Sequence, residues 1–542
     1  MARRSSVLLG LAIAVVLAVA VSGARGSTDA RAGGIFRVAY LTSPGTFDNV
    51  DPALAYSRES WALLDTVCAR LMRYRDERPP RGYQLVPDVA AAPPTVSTDR
   101  KTWTFRLRHD FRFSNGERVD AAAFAQAIHR TMAPGVESPG YAYTRAIVGA
   151  EEVHSGRAKR ASGVEAQGDR LRVRFTRPVG EFDAWTTMPF FCAVPPALEP
   201  SAEGVRAFPG AGPYYVKEYR LNRKIEIRRN PNYGGTRKHH VEGFDVDLRG
   251  GSPDELVDRV ADGEADWTYT LPAVALGPSH RLISRYGLNF SRFWITPGLT
   301  LQMFVLNSSR PLFRNNPQLR RAVNFALNRN GLRAGAGNPT GQYLPPGVAG
   351  YKERRIYPNG GDVLRAQELA AGNLRDGKAV FLVPDVAPAR TAAQNVQLRL
   401  EEIGLDVEIR PFGEHATASS YLGRLGSDEP WDLALVLWSP DYVDPSAYVN
   451  RLLDSEFTGA ATWSRFDEPL YTALMRRASR LQGEARAKAY EELDLLLTRD
   501  VAPLAPTAAL NEATLVSGRV DPKCMLRRPG LVLTTVCLNH RQ

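Results

Sequence analysis

The chain has 542 residues, too many for one ordinary domain, and its 44% hydrophobic and 23% charged residues exclude a largely disordered polymer. The formal charge is +11, but the arginines are dispersed, with no basic run of five and no aromatic interleaving, which argues against a nucleic-acid surface. The four cysteines, Cys68, Cys192, Cys524 and Cys537, form no C-x-x-C, so neither a zinc ribbon nor a thioredoxin-like site is encoded.

The first predicted element is a leader. "MARRSS" supplies a basic start, Val7 to Val21 is apolar apart from Gly10, and "VSGARGSTDA" brings small residues suited to cleavage. That is the plan of a secretory signal peptide over residues 1–24. The run is short for a membrane span, which needs roughly 20 residues, although an uncleaved anchor is the alternative. No cysteine follows it before Cys68, so a lipoprotein-type anchor has no residue to use. The expected location is therefore exported: the outer face of the cytoplasmic membrane, the periplasm or the cell wall. An even cysteine count in an exported chain permits disulfides. Cys524 and Cys537 are close in sequence and would staple the tail, which leaves Cys68 with Cys192.

Next, Ile35 to Leu41 reads as a strand followed by a Pro/Gly-punctuated loop. Trp103, Phe105 and Leu107 alternate with polar residues, as in a half-buried strand. Asn115-Gly116 signals a turn, and Asp120 caps a helix from Ala121 that puts Phe124, Ile128 and Met132 on one face. Tyr215-Val216 and Ile225/Ile227 form a hairpin ended by Asn230-Pro231.

The second half changes style. "GKAVFLVPD" is a buried strand, and "TAAQNVQLRLEEIGLDVEIRPFG" is a helix and a second strand. Thr391 and Gln394 stand at capping-box spacing, Ala392, Val396, Leu400 and Ile403 make an apolar stripe, and Gly404 ends the helix. Strand, helix and strand in about 30 residues predict a parallel pair. "PWDLALVLW" adds another buried strand, and "DEPLYTALMRRASRL" with "EARAKAYEELDLLL" makes a helix pair, with Leu470, Leu474, Ala478 and Leu481 facing inward. The expected class is α/β, with a strand-rich α+β first part.

Catalytic signatures are missing. There is no G-x-S-x-G and no H-E-x-x-H, and "GAGNPTG" (Gly335–Gly341) has the wrong spacing for a dinucleotide loop. His239 and His240 are adjacent and on a strand would point apart, so they do not easily chelate one metal and read as exposed loop histidines. Asp441 and Asp444 can be nominated as a carboxylate pair, but no base or nucleophile accompanies them. A secreted hydrolase is the alternative function; the expectation is no enzyme, no cofactor and no metal.

Six segments in order carry a resemblance: "VPDVAAAPPTVSTDRKTWTFRLRHDFRFSNGERVDAAAFAQAI", "GAGPYYVKEYRLNRKIEIRRNPNY", "GEADW", "MFVLNSSRPLFRNNPQLRRAVNFALNR", "QYLPPGVAGY" and "WSPDYVDP". Together they resemble the extracellular solute-binding proteins of ABC peptide importers, solute-binding protein family 5, over residues 33 to 540. The resemblance implies a two-lobed, periplasmic-binding-protein-like (class II) clamp with an extra N-terminal α+β subdomain. One lobe would comprise residues 33–295, with the subdomain at about 56–185, and the returning segment 506–542. The other would be 296–505. Crossings near Thr296–Phe304 and Ala502–Thr507 would act as the hinge.

The implied function is capture of short peptides between the lobes, by a monomer, and delivery to a membrane permease and its ATPase. The same clamp serves oligosaccharides, opines or chelated nickel in relatives. The run "LALVLW" ends at Trp438, and ligands of parallel α/β sheets sit beyond the carboxyl ends of strands. The resemblance thus implies that Asp441 pairs with a ligand ammonium and that Ser439 offers main-chain bonds. Leu437 and Trp438 would line the rim, Tyr40 and Ser43 would face it from the other lobe, and Asp444-Pro445 would be scaffold. One departure sits at this place: Pro440 stands where relatives often carry a free N–H.

Overall fold

The computed structural model describes residues 33–40, 47–269, 276–332, 337–413, 422, 430–457, 461–528 and 530–539. The leader 1–24, Leu41 and Ser43 lie outside them. No helix among the described residues is long and apolar enough to cross a membrane.

Three larger sheets organise the chain. The first has five strands in the order Trp267–Thr268, Ile35–Ala39, Gly243–Asp247, Lys224–Arg229 and Tyr214–Arg220. Ile35–Ala39 runs parallel to both of its neighbours, and the predicted hairpin supplies the antiparallel edge. Alternation places Phe36, Val38, Ile225, Ile227, Phe244 and Val246 in the core. The chain's last segment returns to this core through Val520, Met525, Leu531, Leu533 and Val536. Buried Asp266, of the "GEADW" segment, fastens it there: its carboxylate accepts from Ser517 Oγ at 2.7 Å and Arg519 Nη1 at 2.9 Å.

The second sheet has four antiparallel strands, Thr95–Val96, Thr102–Arg106, Arg170–Arg174 and Val164–Gln167. Trp103 and Phe105 are buried from it against the helix Ala121–Met132. Asp120 caps that helix, accepting from the amides of Ala122 and Ala123, and Phe124, Ile128 and Met132 are all buried. Cys68 is bonded to Cys192, and Cys524 to Cys537.

The third sheet has six strands: Gly337–Pro339, Leu504–Leu515, Phe293–Leu306, Leu433–Trp438, Lys378–Pro384 and Asp406–Phe412. The last three are mutually parallel, built on the β-α-β unit. Phe304, Phe381, Val383, Val407, Leu433 and Leu435 face the helices Pro317–Ala326 and Ala387–Glu401. Met303, Val305, Leu382, Ala434, Val436 and Trp438 face the opposite way, into a core continuous with that of the second sheet. Phe293–Leu306 and Leu504–Leu515 pair antiparallel with a register shift between Pro297 and Leu301. The expected boundaries at 295/296 and 505/506 fall in or beside these strands.

Three local expectations need correction. The helix Ala387–Glu401 starts before Thr391, with a proline in its first turn, so Thr391 is no cap; its hydroxyl donates to the Ala387 carbonyl at 3.2 Å. Its buried face is Ala389, Ala393, Val396 and Leu400, with Ala392 only half-buried. In the helix Pro469–Ser479 the buried residues are Tyr471, Thr472, Met475 and Ala478, and Leu470 is 66% exposed.

Candidate functional site

The strand Leu433–Trp438 delivers its carboxyl end to the boundary between the third sheet and the N-terminal part of the chain. Beyond it Ser439 and Pro440 leave the ladder, and Asp441 to Asp444 make a bend. Asp444 closes the bend by accepting from the amide of Ser446 at 2.9 Å and its hydroxyl at 2.6 Å, which caps the turn Pro445–Ala447. Arg486 holds the same carboxylate at 2.6 Å. The scaffold role expected for Asp444-Pro445 is thus visible as hydrogen bonds.

Asp441 has only 10% of its side chain exposed. Its Oδ2 accepts the Tyr56 hydroxyl at 3.1 Å and the Tyr143 hydroxyl in a very short bond. Both tyrosines come from the N-terminal part, about 300 and 400 residues away. Arg451 lies 4.0 Å away through Nε and stacks over the Tyr143 ring at 5.1 Å. Burial raises the Asp441 carboxyl above its ordinary range, while Arg451 and the two hydroxyls pull it back. Burial works against the Arg451 charge, but Tyr143, Tyr56 and Asp441 hold its acidity below that of a free guanidinium.

The other expected residues are placed as follows. Ser439 shares a hydroxyl bond of 2.8 Å with Thr300, which also receives Arg58 Nη1 at 3.3 Å. Trp438 is 6% exposed, its indole N–H donates to Ala447 O at 2.9 Å, and its ring packs edge-on against Trp463. Leu437 alternates to the opposite face of the strand and is 47% exposed, so the two side chains cannot line one pocket together. Tyr40 is buried, packs against Phe47 and Trp267, and donates to Glu59 O at 3.3 Å. Its hydroxyl therefore points into the first-sheet core.

Several residues that face Asp441 or bridge to its bend escaped the sequence reading. The Val443 amide donates to the Tyr74 hydroxyl at 2.6 Å. Tyr143 and Trp185 pack edge-on against Tyr442 at 6.2 and 6.5 Å. Arg486 reaches Glu181 at 3.4 Å, Arg177 pairs with Glu456 at 2.6 Å, and Arg58 pairs with Glu512 at 2.6 Å. Each joins residues far apart in the chain, so no local spacing announces it. The arrangement is a closed seam between two bodies that encloses two charged sets, Asp441 with Arg451 and Arg486 with Glu181 and Asp444.

Known proteins place this geometry. The chain is 23% identical over 469 residues to the "Probable D,D-dipeptide-binding periplasmic protein DdpA" of Escherichia coli, covering 84% of this chain and 85% of that protein. Among solved structures, "Clavulanic acid biosynthesis oligopeptide binding protein 2" superposes with a TM-score of 0.83 at 21% identity, covering 94% and 96% of the two chains. The Helicobacter pylori periplasmic binding protein DppA, in complex with the peptide STSA, superposes with a TM-score of 0.71 at 20% identity, covering 94% and 98%. The fold is accordingly the two-lobed, mixed α/β architecture of periplasmic binding proteins. The model of the family described as bacterial extracellular solute-binding proteins, family 5, matches residues 84–459. With more than half of the chain matched, this protein belongs to the bacterial extracellular solute-binding proteins of family 5.

Proposed function

We propose that this chain is the extracytoplasmic binding component of an ABC importer, which captures short peptides between its lobes and hands them to a membrane permease. The observation that carries the reading is Asp441: a carboxylate at the carboxyl end of a sheet strand, enclosed by Tyr56 and Tyr143 from across the seam. A ligand ammonium that enters there replaces hydroxyl donors with a full counter-charge, which is what a buried carboxylate needs. Ser439, with its hydroxyl on Thr300, would offer its main chain beside it, and Pro440 withdraws one N–H from the same edge.

The paired strands Phe293–Leu306 and Leu504–Leu515 are the proposed hinge, because both crossings lie side by side where the register shifts twice, between Pro297 and Leu301 and between Gln302 and Met303. In this reading capture and release are the whole task, performed by a monomer outside the cytoplasmic membrane. Peptides related to those in the names of its relatives, dipeptides and oligopeptides, are the first ligands to try.

A thermal-shift screen of the mature protein against peptide pools tests this. The expected result is a raised melting temperature with peptides. A response to an oligosaccharide, an opine or a nickel chelate alone would move the ligand class and keep the clamp. Turnover of any peptide or glycan would replace the reading with a hydrolase.

A further inference from the structure

Arg451 is a buried guanidinium in the seam with no close carboxylate bond. It follows the bend on the short helix Val449–Leu453, with 6% of its side chain exposed. Its Nε and Nη1 are buried with no hydrogen-bond partner. Its nearest carboxylate, Asp441, lies at 4.0 Å, beyond a hydrogen bond, because that oxygen is taken by two tyrosine hydroxyls. The rings of Tyr143 and Phe457 cover the guanidinium at 5.1 and 4.9 Å but do not satisfy its in-plane N–H groups. Other arginines, among them Arg310, Arg320 and Arg527, also carry such donors, but those of Arg451 lie beside the carboxylate proposed to hold the ligand, where an acceptor on the ligand would satisfy them.

Charge decides what arrives. Asp441 and Arg451 together are neutral. A ligand that brings only an ammonium leaves the enclosed set with one net positive charge, set against Arg451 at short range. A ligand that brings an ammonium and a carboxylate on the same end leaves it neutral, with Asp441 paired to one group and the Arg451 fork to the other. We infer that Arg451 and Asp441 together select ligands whose anchored end is a free amino-acid head group, ammonium and carboxylate on one carbon. This deepens the proposed function and rests on the seam being the ligand site. The tyrosine hydroxyls then give way to the ligand, and Arg451 is the residue that fixes specificity.

Calorimetric titration of the full chain tests it with three probes: γ-L-glutamyl-L-alanine, the same compound with its head carboxylate amidated, and tri-alanine. The expected result is binding of the free head at least tenfold tighter than the amide. Arg451→Gln abolishes that difference, and Arg451→Lys, which keeps the charge but loses the fork, restores part of it. Equal affinity of the two heads in the unmodified protein overturns the inference without any variant. So does a preference that survives Arg451→Gln, or tri-alanine binding more tightly than the free head. Tri-alanine binding alone would leave the importer reading standing; no binding by any of the three would count against both.

Discussion

Gly180 and Ser479 approach so closely that a Cβ on the glycine would lie 1.5 Å from the Ser479 carbonyl oxygen. The two residues stand on opposite sides of the seam, beside the Glu181–Arg486 contact. Only a residue without a side chain lets the backbones meet there. Gly180→Ala should therefore leave each lobe folded and prevent full closure. We expect the melting temperature of the unliganded protein to fall only slightly, peptide affinity to drop at least tenfold, and small-angle scattering to show a larger radius with ligand. Unchanged affinity would mean that capture does not need this approach.

Asp441→Asn tests the ammonium anchor. Removing one member of an enclosed charge pair typically costs about 2–5 kcal/mol of binding. Peptide affinity should fall by a factor of ten or more. The unliganded protein should lose stability as well, because Arg451 keeps its charge and loses its nearest carboxylate. Calorimetry and a urea melt read the two effects separately; undiminished peptide binding would remove Asp441 from the site.

Acidity should tighten the seam. Burial pushes the Glu181 carboxyl up to about 7, against the pull of Arg486 and with Asp444 adding repulsion. Asp183 is raised in the same way, to about 6. A carboxyl whose closed-state value lies above its free value holds an extra proton when closed. Its contribution is present below about 4.5 and is lost as pH rises through about 7, a swing of about 3 kcal/mol at most for Glu181. Asp444, which burial raises but Arg486 and the Ser446 hydrogen bonds together lower, titrates below this window. The Glu181 share of the melting temperature should fall from pH 5 to pH 7, and Glu181→Gln should remove that share, leaving the slope from Asp183, Glu59 (raised to about 7) and Asp494 (to about 6), opposed by His129 (lowered to about 4). A slope unchanged in that variant would assign the effect elsewhere.

The two disulfides should differ in what they contribute. Cys68–Cys192 spans 124 residues and Cys524–Cys537 only 13. Loop-closure entropy assigns about 5 kcal/mol to the first and about 3 kcal/mol to the second. Cys68→Ser with Cys192→Ser should thus lower the urea midpoint more than the tail pair does. Equal losses would point to strain or residual structure rather than chain entropy.

What could be read from the sequence was what is local. Asp120 lies next to the amides it caps, and the parallel strands of the third sheet announce themselves as short apolar runs around a helix. Thr391 misled because Gln394 completed a capping pattern, whereas the proline in the first turn sets the true start. Leu470 misled because that helix is rotated by its packing on Tyr471 and Met475. Asp441 was found through resemblance, but Tyr56, Tyr143 and Arg451 were not. Their meeting depends on how two bodies close, and no periodicity in one segment records it.

The aromatic packing of Tyr442 between Tyr143 and Trp185 has a thermal consequence. Parting the lobes wets these rings, and newly hydrated apolar surface raises heat capacity. The open–closed balance is therefore curved in temperature, and the apolar share of the grip weakens on cooling. A receptor that shuts on carbon rings works within a thermal range of its own, set by this seam separately from the melting of either lobe.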